Sequence, residues 1–328
     1  MGRHDTPQSL LPPTAKNIFV WHQGALGDLL VAGPALQAVA AYYPGARLTL
    51  VGGPEQLGLL AGTLPVAAVW SGAGAVWVEL FQDSDNVGSA LKDLLADFDL
   101  ALVLTPRERP EFLARLGQAG IPRVLWLPSF PVRARQPIRE LQAERLEQAG
   151  LKKPLAPWRL QVPDKERQQA REWLQSQGGQ EGFRVALAPG SGHPRKNWPL
   201  AHYIALAQLL EEQYEAQIWW VLGPAEARLA EELQNELPHR ARQFLSGLSL
   251  GQLAASLAAL QLYVGNDSGV THLAAALGGP SVVAIFGPSD PVIWAPPGDR
   301  TIVVRPEEPC APCTQGREIS CPEAVCLA

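Results

Sequence analysis

The 328-residue chain has no long apolar run, no excess of basic residues and neither of the common nucleotide-binding fingerprints. No apolar run approaches the ~18 residues that a membrane-spanning helix needs. Lysine and arginine number 27 against 32 acidic residues, a formal net charge of -5, whereas nucleic-acid binders usually carry a basic excess. GxxxxGK[ST] is absent, and no GxGxxG follows a strand. These absences argue against a membrane-spanning protein, a nucleic-acid partner, a P-loop and a dinucleotide site.

Cysteine is scarce too, and all four copies lie near the end of the chain, at Cys310, Cys313, Cys321 and Cys326. A disulfide framework is typical of small secreted chains, and this chain is not small. Four thiols at close spacing are consistent with a structural zinc or iron–sulfur site. They are equally consistent with thiols that are reduced or partly oxidised and bind no metal.

The first 16 residues are polar and proline-rich and contain no apolar signal core, so we expect a cytoplasmic protein. Local basic patches can still meet an anionic lipid or glycan, so peripheral contact with the inner face of the cytoplasmic membrane stays open.

The rest of the sequence predicts an α/β protein of two domains. Apolar residues make up 47% of the chain and charged residues 18%, which is ordinary for globular proteins. Short apolar strands alternate with helices, the pattern of a parallel sheet. Three prolines within residues 154–163 interrupt the alternation, which then restarts. We therefore predict one domain over residues 1–160 and a second over residues 161–328.

The predicted strands cover residues 17–22, 47–53, 66–70, 99–104, 123–128, 184–189, 217–223, 243–246, 260–265 and 281–287. The predicted helices cover residues 24–43, 86–97, 108–119, 164–177, 200–214, 225–236, 249–259 and 268–277.

The most informative segment is LYVGNDSGVTHLAAALGGPSVVAIFGPSD, residues 262–290. Asp267 and Ser268 are residue types that cap helices, so a helix is predicted to begin there. Gly269 allows close approach of a ligand to the backbone, and the first amides of the helix point outward. His272 lies one turn inside, on a side that can face the same ligand. This arrangement predicts an anion site, with phosphate as its usual occupant.

Polar loops follow four other predicted strands, at residues 24–28, 190–199, 224–228 and 288–291. Ligands bind beyond the carboxyl ends of the strands in an open α/β sheet. Turn chemistry alone explains any one of these loops, but the set favours a shared ligand site. Lys196 follows a Gly-Ser-Gly turn and can reach a diphosphate, or it can be a solvated surface lysine.

Two carboxylate features leave alternatives open. Asp28 follows a Gly-rich turn at a helix start, where it can stabilise the helix end or act as a general base. Asp83 and Asp85 match the DxD pattern of metal-dependent sugar transferases, yet such tripeptides are frequent by chance and Asp85 can cap the next helix.

Taken together, the loops resemble family 9 of the glycosyltransferases, the ADP-heptose:lipopolysaccharide heptosyltransferases. The matching pieces are GALGDLLVAGPAL (24–36), APGSGHPRKNWP (188–199), LGPAEARLAEEL (222–233) and GNDSGVTHLAAALGGPSVVAIFGPSDPVIWAP (265–296). The cysteine-bearing tail is similar too. The family often has arginine shortly before the Gly-Asp turn, where this chain has Trp21-His22-Gln23.

The resemblance implies a GT-B fold, in which two Rossmann-like domains face each other across a cleft. It implies that the first domain binds the glycan or glycolipid acceptor and the second the nucleotide sugar, without a catalytic metal or other cofactor. By position, Asp28 is similar to the catalytic base, and the acceptor side includes His22, Gly24 and Gly27. The implied donor site comprises Ser191, Lys196, Glu226, Asp267, Ser268, Gly269 and His272.

The resemblance thus implies an inverting, metal-independent transfer of a sugar, heptose from ADP-heptose, to a lipopolysaccharide-core or related glycan. Fold alone leaves two alternatives open. One is a nucleotide-sugar epimerase or hydrolase on the same architecture. The other is a binder of nucleotide sugars without catalytic activity.

Overall fold

A computed structural model describes residues 10–82, 86–130, 136–151, 155–156, 158–177, 182–238, 243–308, 311–313 and 325–327. The chain folds into two compact units, Met1–Trp158 and Arg159–Ala328. The boundary predicted from the prolines lies after residue 160. No helix among the described residues is long and apolar enough to cross a membrane.

The described part of the first unit contains one parallel sheet. Its strands are β1 (Asn17–His22), β2 (Arg47–Gly52), β3 (Val66–Ser71), β4 (Leu100–Thr105) and β5 (Val124–Pro128). Their order across the sheet is β3-β2-β1-β4-β5, and every neighbouring pair is parallel. β1 is therefore central, and β-branched and aromatic residues form most of it, as expected of a strand covered on both faces.

Aromatic packing dominates one face of this sheet. Phe19 and Trp21 of β1 are buried with Trp77, and the rings of Phe19 and Trp77 are 5.9 Å apart. The ring of Phe112 lies 5.1 Å from that of Trp21. Because these large side chains fix β1 in the sheet, the residues that follow its carboxyl end are held in a defined place.

The described helices of the first unit are α1 (Leu26–Val31), α2 (Gly33–Tyr42), α3 (Pro54–Gly58), α4 (Ser89–Leu95), α5 (Pro110–Gln118) and α6 (Ile138–Gln148). The prediction of one helix over residues 24–43 is wrong, because the structure has two helices joined at Ala32. Pro34 has no backbone N–H to continue the first helix, but it fits the first turn of the second.

The second unit repeats the architecture with six described parallel strands. They are β6 (Arg184–Ala188), β7 (Gln217–Leu222), β8 (Phe244–Ser246), β9 (Leu262–Asn266), β10 (Ser281–Ile285) and β11 (Thr301–Val304). Their order is β11-β10-β9-β6-β7-β8. The described helices are α7 (Asp164–Ser176), α8 (Leu200–Tyr214), α9 (Ala227–Glu236), α10 (Leu250–Ala258), α11 (Gly269–Leu277) and α12 (Pro291–Trp294).

The core of this unit lies between the central strands and α8. Val185 and Leu187 of β6 pack with Trp220 of β7, Tyr203 of α8 and Val264 of β9, all of them buried. The strand before the Asn-Asp-Ser turn runs to Asn266 and not to residue 265, because Gly265 and Asn266 still pair with Ala284 and Ile285 of β10. The ends of β9, β6 and β7 consequently lie side by side.

Candidate active site

The second unit has a topological switch point between β6 and β9. The chain leaves β6 toward β7 on one side and leaves β9 toward β10 on the other. Ligands of open parallel sheets bind at such points, where the two departing loops leave a crevice between them. The loop after β6 carries Lys196, and the turn after β9 carries Asp267 and Ser268.

Lys196 and Asp267 join these two loops directly. The Lys196 ammonium lies 2.7 Å from Asp267 Oδ2, with side chains 30% and 8% exposed. Lys196 is therefore paired with a carboxylate and only partly exposed. A buried carboxylate needs a partner, and Asp267 in turn fixes the direction of the Lys196 side chain.

Asn266 fastens the loop that carries Lys196 to the end of β9. Its buried side-chain oxygen accepts hydrogen bonds from the Trp198 backbone N–H, at 2.9 Å, and the Tyr203 hydroxyl, at 3.1 Å. Its side-chain nitrogen donates to the Pro189 carbonyl at 2.8 Å. Both ends of the loop after β6 are thus held by one amide.

The start of α11 has the geometry that its sequence predicts. Ser268 is the N-cap, and its hydroxyl oxygen accepts from the Thr271 N–H at 3.3 Å. Thr271 donates its own hydroxyl proton to the Asn266 carbonyl. Gly269 is the first helical residue, so this helix end presents backbone N–H groups and the positive end of its dipole.

His272 is buried one turn into α11. Burial lowers its pKa below the ordinary value of 6.5, because the charged imidazolium would lose its hydration there. The Asp267 carboxylate opposes that shift and the Lys196 ammonium adds to it. The imidazole is therefore neutral near pH 7.

Ser191 and Glu226 border the same loop. The Ser191 hydroxyl donates to Asn197 Oδ1 at 2.6 Å, which braces the loop around Lys196. Glu226, after β7, accepts a hydrogen bond from the Gly223 N–H at 2.8 Å. A methyl group on Gly190 would lie 2.4 Å from the Glu226 side chain, so the carboxylate rests against the glycine backbone.

In the first unit, the residues of interest follow β1. Asp28 is the third residue of α1, half-buried, and its Oδ2 accepts from the Ala25 N–H at 3.2 Å. This contact is the helix-end role that the sequence allowed, and a carboxylate can accept about four hydrogen bonds in all. Gly24 lies between β1 and α1, and Gly27 is the second residue of α1.

His22 is the last residue of β1 and is only 1% exposed. Burial lowers its pKa from 6.5 to about 4, although a backbone hydrogen bond opposes the shift. Its Nδ1 accepts from the Gly24 N–H at 3.3 Å, which assigns the proton of the neutral ring to Nε2. Within the described residues that Nε2 has no hydrogen-bond partner. A buried donor without a partner costs about 1–3 kcal/mol of stability.

Two predictions fall wholly or partly outside the described residues. Asp83 and Asp85 of the DxD pattern lie there, as do Cys310 and Cys321. Cys313 and Cys326 are described. The described stretches contain no group of three or more His, Cys, Asp and Glu side chains placed to hold a metal ion.

Sequence reasoning missed the contributions of Asn266, Thr271 and Tyr203. Asn266 lies inside the Gly-Asn-Asp-Ser-Gly turn, and an apolar strand that ends in asparagine was the available signal. Tyr203 gave no signal, because its hydroxyl reaches Asn266 across 63 positions of the chain.

The sequence matches a known protein family. Residues 134–322 match the family described as glycosyltransferase family 9 (heptosyltransferase). Lipooligosaccharide heptosyltransferase 2 of Haemophilus influenzae is 25% identical over 316 residues, which cover 88% of each chain.

Two solved structures share the fold. The family 9 glycosyl transferase of Veillonella parvula has a TM-score of 0.74 at 19% identity, over 90% of this chain and 88% of that one. The ADP-heptose lps heptosyltransferase II of Escherichia coli has a TM-score of 0.71 at 23% identity, over 88% and 90%. The prediction of an α/β protein with two Rossmann-like parallel sheets, as in GT-B enzymes, is confirmed. Because the family match covers more than half of the sequence, the chain belongs to glycosyltransferase family 9, the heptosyltransferases.

Proposed function

We propose that this enzyme transfers heptose from ADP-heptose to a hydroxyl group of a lipopolysaccharide-core or related glycan, with inversion and without a catalytic metal. The names of its relatives support the donor and the acceptor class, since one is a lipooligosaccharide heptosyltransferase and another an ADP-heptose lps heptosyltransferase. A lipid-linked acceptor would bring the protein to the inner face of the cytoplasmic membrane as a peripheral enzyme.

The observation that carries the proposal is the Lys196–Asp267 pair beside the first turn of α11. In the reaction, the bond between the anomeric carbon and the diphosphate oxygen breaks, and ADP leaves with the electron pair. The Lys196 ammonium and the amides near Ser268 and Gly269 meet the charge that develops on that oxygen. Such fixed donors can take the place of a metal ion.

The other donor residues complete this site. Glu226 offers its carboxylate to the ribose hydroxyls of the nucleotide, and Ser191 holds the loop in shape. His272, neutral because it is buried, adds no charge to the site.

Asp28 acts as the general base. The acceptor oxygen attacks the anomeric carbon on the face opposite the diphosphate, and its proton passes to the Asp28 carboxylate. The half-buried position of Asp28 after the central strand of its sheet supports this role, since that strand end borders the switch point between β1 and β4.

Asp28→Asn provides the test. Asparagine can still accept from the Ala25 N–H, so α1 keeps its end, but it cannot take a proton. We expect kcat to fall by about 10²-fold or more, with ADP affinity unchanged. Lys196→Ala should weaken ADP binding and lower kcat, whereas Arg228→Ala, exposed on α9, should do neither. Parent turnover by Asp28→Asn would refute the base assignment.

Incubation of ADP-heptose without acceptor separates the alternatives. An epimerase or a hydrolase would consume the donor rapidly, and a transferase would consume it only slowly. Addition of EDTA to the complete reaction should leave kcat unchanged, and loss of activity that Mg²⁺ restores would refute the metal-independent mechanism.

A further inference from the structure

His22 has a property that the reaction above does not use. It is a buried, neutral imidazole whose Nε2–H has no partner among the described residues. The tautomer follows from the Gly24 N–H, which donates to Nδ1 and leaves the ring proton on Nε2. The end of β1 therefore carries a hydrogen-bond donor in a fixed position, without an acceptor among the described residues.

The Nε2 atom faces the same small space as the Asp28 carboxylate. A methyl group on Gly24 would lie 3.1 Å from His22 Nε2 and 2.9 Å from Asp28 Oδ2. Only a residue without a side chain leaves this space open at position 24. The imidazole and the carboxylate thus both border the position that a Cβ at Gly24 would occupy, one as a donor and the other as an acceptor.

We propose that His22 is a positioning residue for the catalytic base, and that its Nε2–H donates a hydrogen bond to the Asp28 carboxylate in the reacting complex. This inference rests on the proposed role of Asp28. A carboxylate accepts about four hydrogen bonds. The Ala25 N–H and His22 can therefore both donate to it and fix the plane of the carboxylate relative to the acceptor hydroxyl. As a neutral imidazole, His22 supplies this N–H donor without adding a net charge beside the carboxylate.

His22→Phe tests the proposal, because phenylalanine has a similar ring but no donor. We expect kcat to fall roughly 10- to 100-fold, since a base held in the wrong orientation loses most of its effect. ADP affinity should stay unchanged, because the proposed donor residues are in the other unit. His22→Gln places an amide N–H near the position of Nε2 and should recover most of kcat. Val20→Ala, a buried change two residues earlier in β1, is the matched control for strand packing.

A double variant shows whether His22 acts through Asp28. If it does, His22→Phe should lower the kcat of Asp28→Asn by less than about 2-fold, because the base is already lost. Gly24→Ala is a second test that leaves the His22 and Asp28 side chains unchanged. Its methyl group would lie between the imidazole and the carboxylate and keep them from forming a hydrogen bond. We expect it to reproduce the His22→Phe loss with parent ADP affinity.

The outcomes distinguish this inference from the proposed function. If Asp28→Asn keeps the parent kcat, the base assignment fails and this inference fails with it. If Asp28→Asn loses kcat while His22→Phe does not, only the positioning role is overturned. Losses that multiply in the double variant, or a glutamine variant no better than phenylalanine, would also overturn it.

Discussion

Asn266 shows how one buried side chain can hold a binding loop. Asn266→Ala removes two bonds to the amide oxygen and one from its nitrogen. We expect the free energy of unfolding to fall by about 2–4 kcal/mol, measured by urea denaturation. Because Trp198 is close to Lys196 in the chain, release of the loop should also weaken ADP binding about 10-fold.

Gln142→Ala is the matched control for this prediction. Gln142 is also a buried amide, and its nitrogen donates to the Pro128 carbonyl at the end of β5 in the first unit. This variant should lose stability and keep the parent ADP affinity. If both variants weakened ADP binding equally, loss of stability alone would account for the effect of Asn266.

His22 makes stability depend on pH in a predictable direction. Its pKa is about 4 in the folded protein and near 6.5 when unfolded, so the unfolded chain binds the extra proton first as pH falls. Its contribution is therefore fully present above pH 6.5 and is lost toward pH 4, by up to about 3 kcal/mol.

In His22→Phe this contribution is absent. We expect the difference in unfolding free energy between parent and variant to change steadily from pH 6.5 to pH 4, measured by urea denaturation. Val20→Ala should instead lower the free energy by the same amount at each pH. A constant difference for His22→Phe across this range would contradict the assignment of a buried neutral ring.

At the level of elements, α10 and α11 have comparable caps with different surroundings. Ser249 accepts from the Gln252 N–H at 3.2 Å, and Ser268 accepts from the Thr271 N–H at 3.3 Å. Ser249→Ala and Ser268→Ala should each cost about 1 kcal/mol in unfolding free energy. Only Ser268→Ala should weaken ADP binding, as titration calorimetry would show. Equal losses of affinity would mean that the start of α11 is no special anion site.

The sequence predicts strands better than helices here, for a physical reason. Strands buried on both faces need continuous apolar runs, such as NIFVWH in β1 and QIWWVL in β7. β11 was not predicted, because it is only four residues long and every second residue is exposed. It lies at the edge of the sheet and depends on its pairing with β10. α6 was also missed, although Ile138, Gln142 and Leu146 are buried at four-residue spacing.

The candidate site, too, was only partly predicted from the sequence. Sequence patterns identified the loops that follow β6 and β9, because caps, glycines and lysine are local signals. They did not pair Lys196 with Asp267, since 71 positions separate the two and only strand order brings them together. The sequence also could not predict that His22 Nε2 has no hydrogen-bond partner among the described residues, because the burial and the tautomer of the ring depend on its folded surroundings.

On the scale of the whole molecule, the two units position their candidate residues in the same way. Each has a parallel sheet, and each places its candidate residues after strands at the switch point, β1 in the first unit and β6 with β9 in the second. The strand order therefore accounts for the position of residues that are far apart in sequence, and it separates the proposed base from the proposed donor site into different units.

This division predicts where ADP changes the exchange of backbone amides with deuterium. At saturating ADP and short labelling times, exchange should slow in residues 189–197, 223–226 and 266–272. Amides in these loops exchange through local opening, and bound ADP would suppress that opening. The strands β1 to β5 should exchange as they do without ligand. AMP, which lacks the second phosphate, should protect residues 189–197 and 266–272 less than ADP does. The Lys196→Ala variant should lose the protection by ADP at an ADP concentration that saturates the parent. Protection that appeared first in residues 22–28 would place the nucleotide in the wrong unit and refute the assigned donor site.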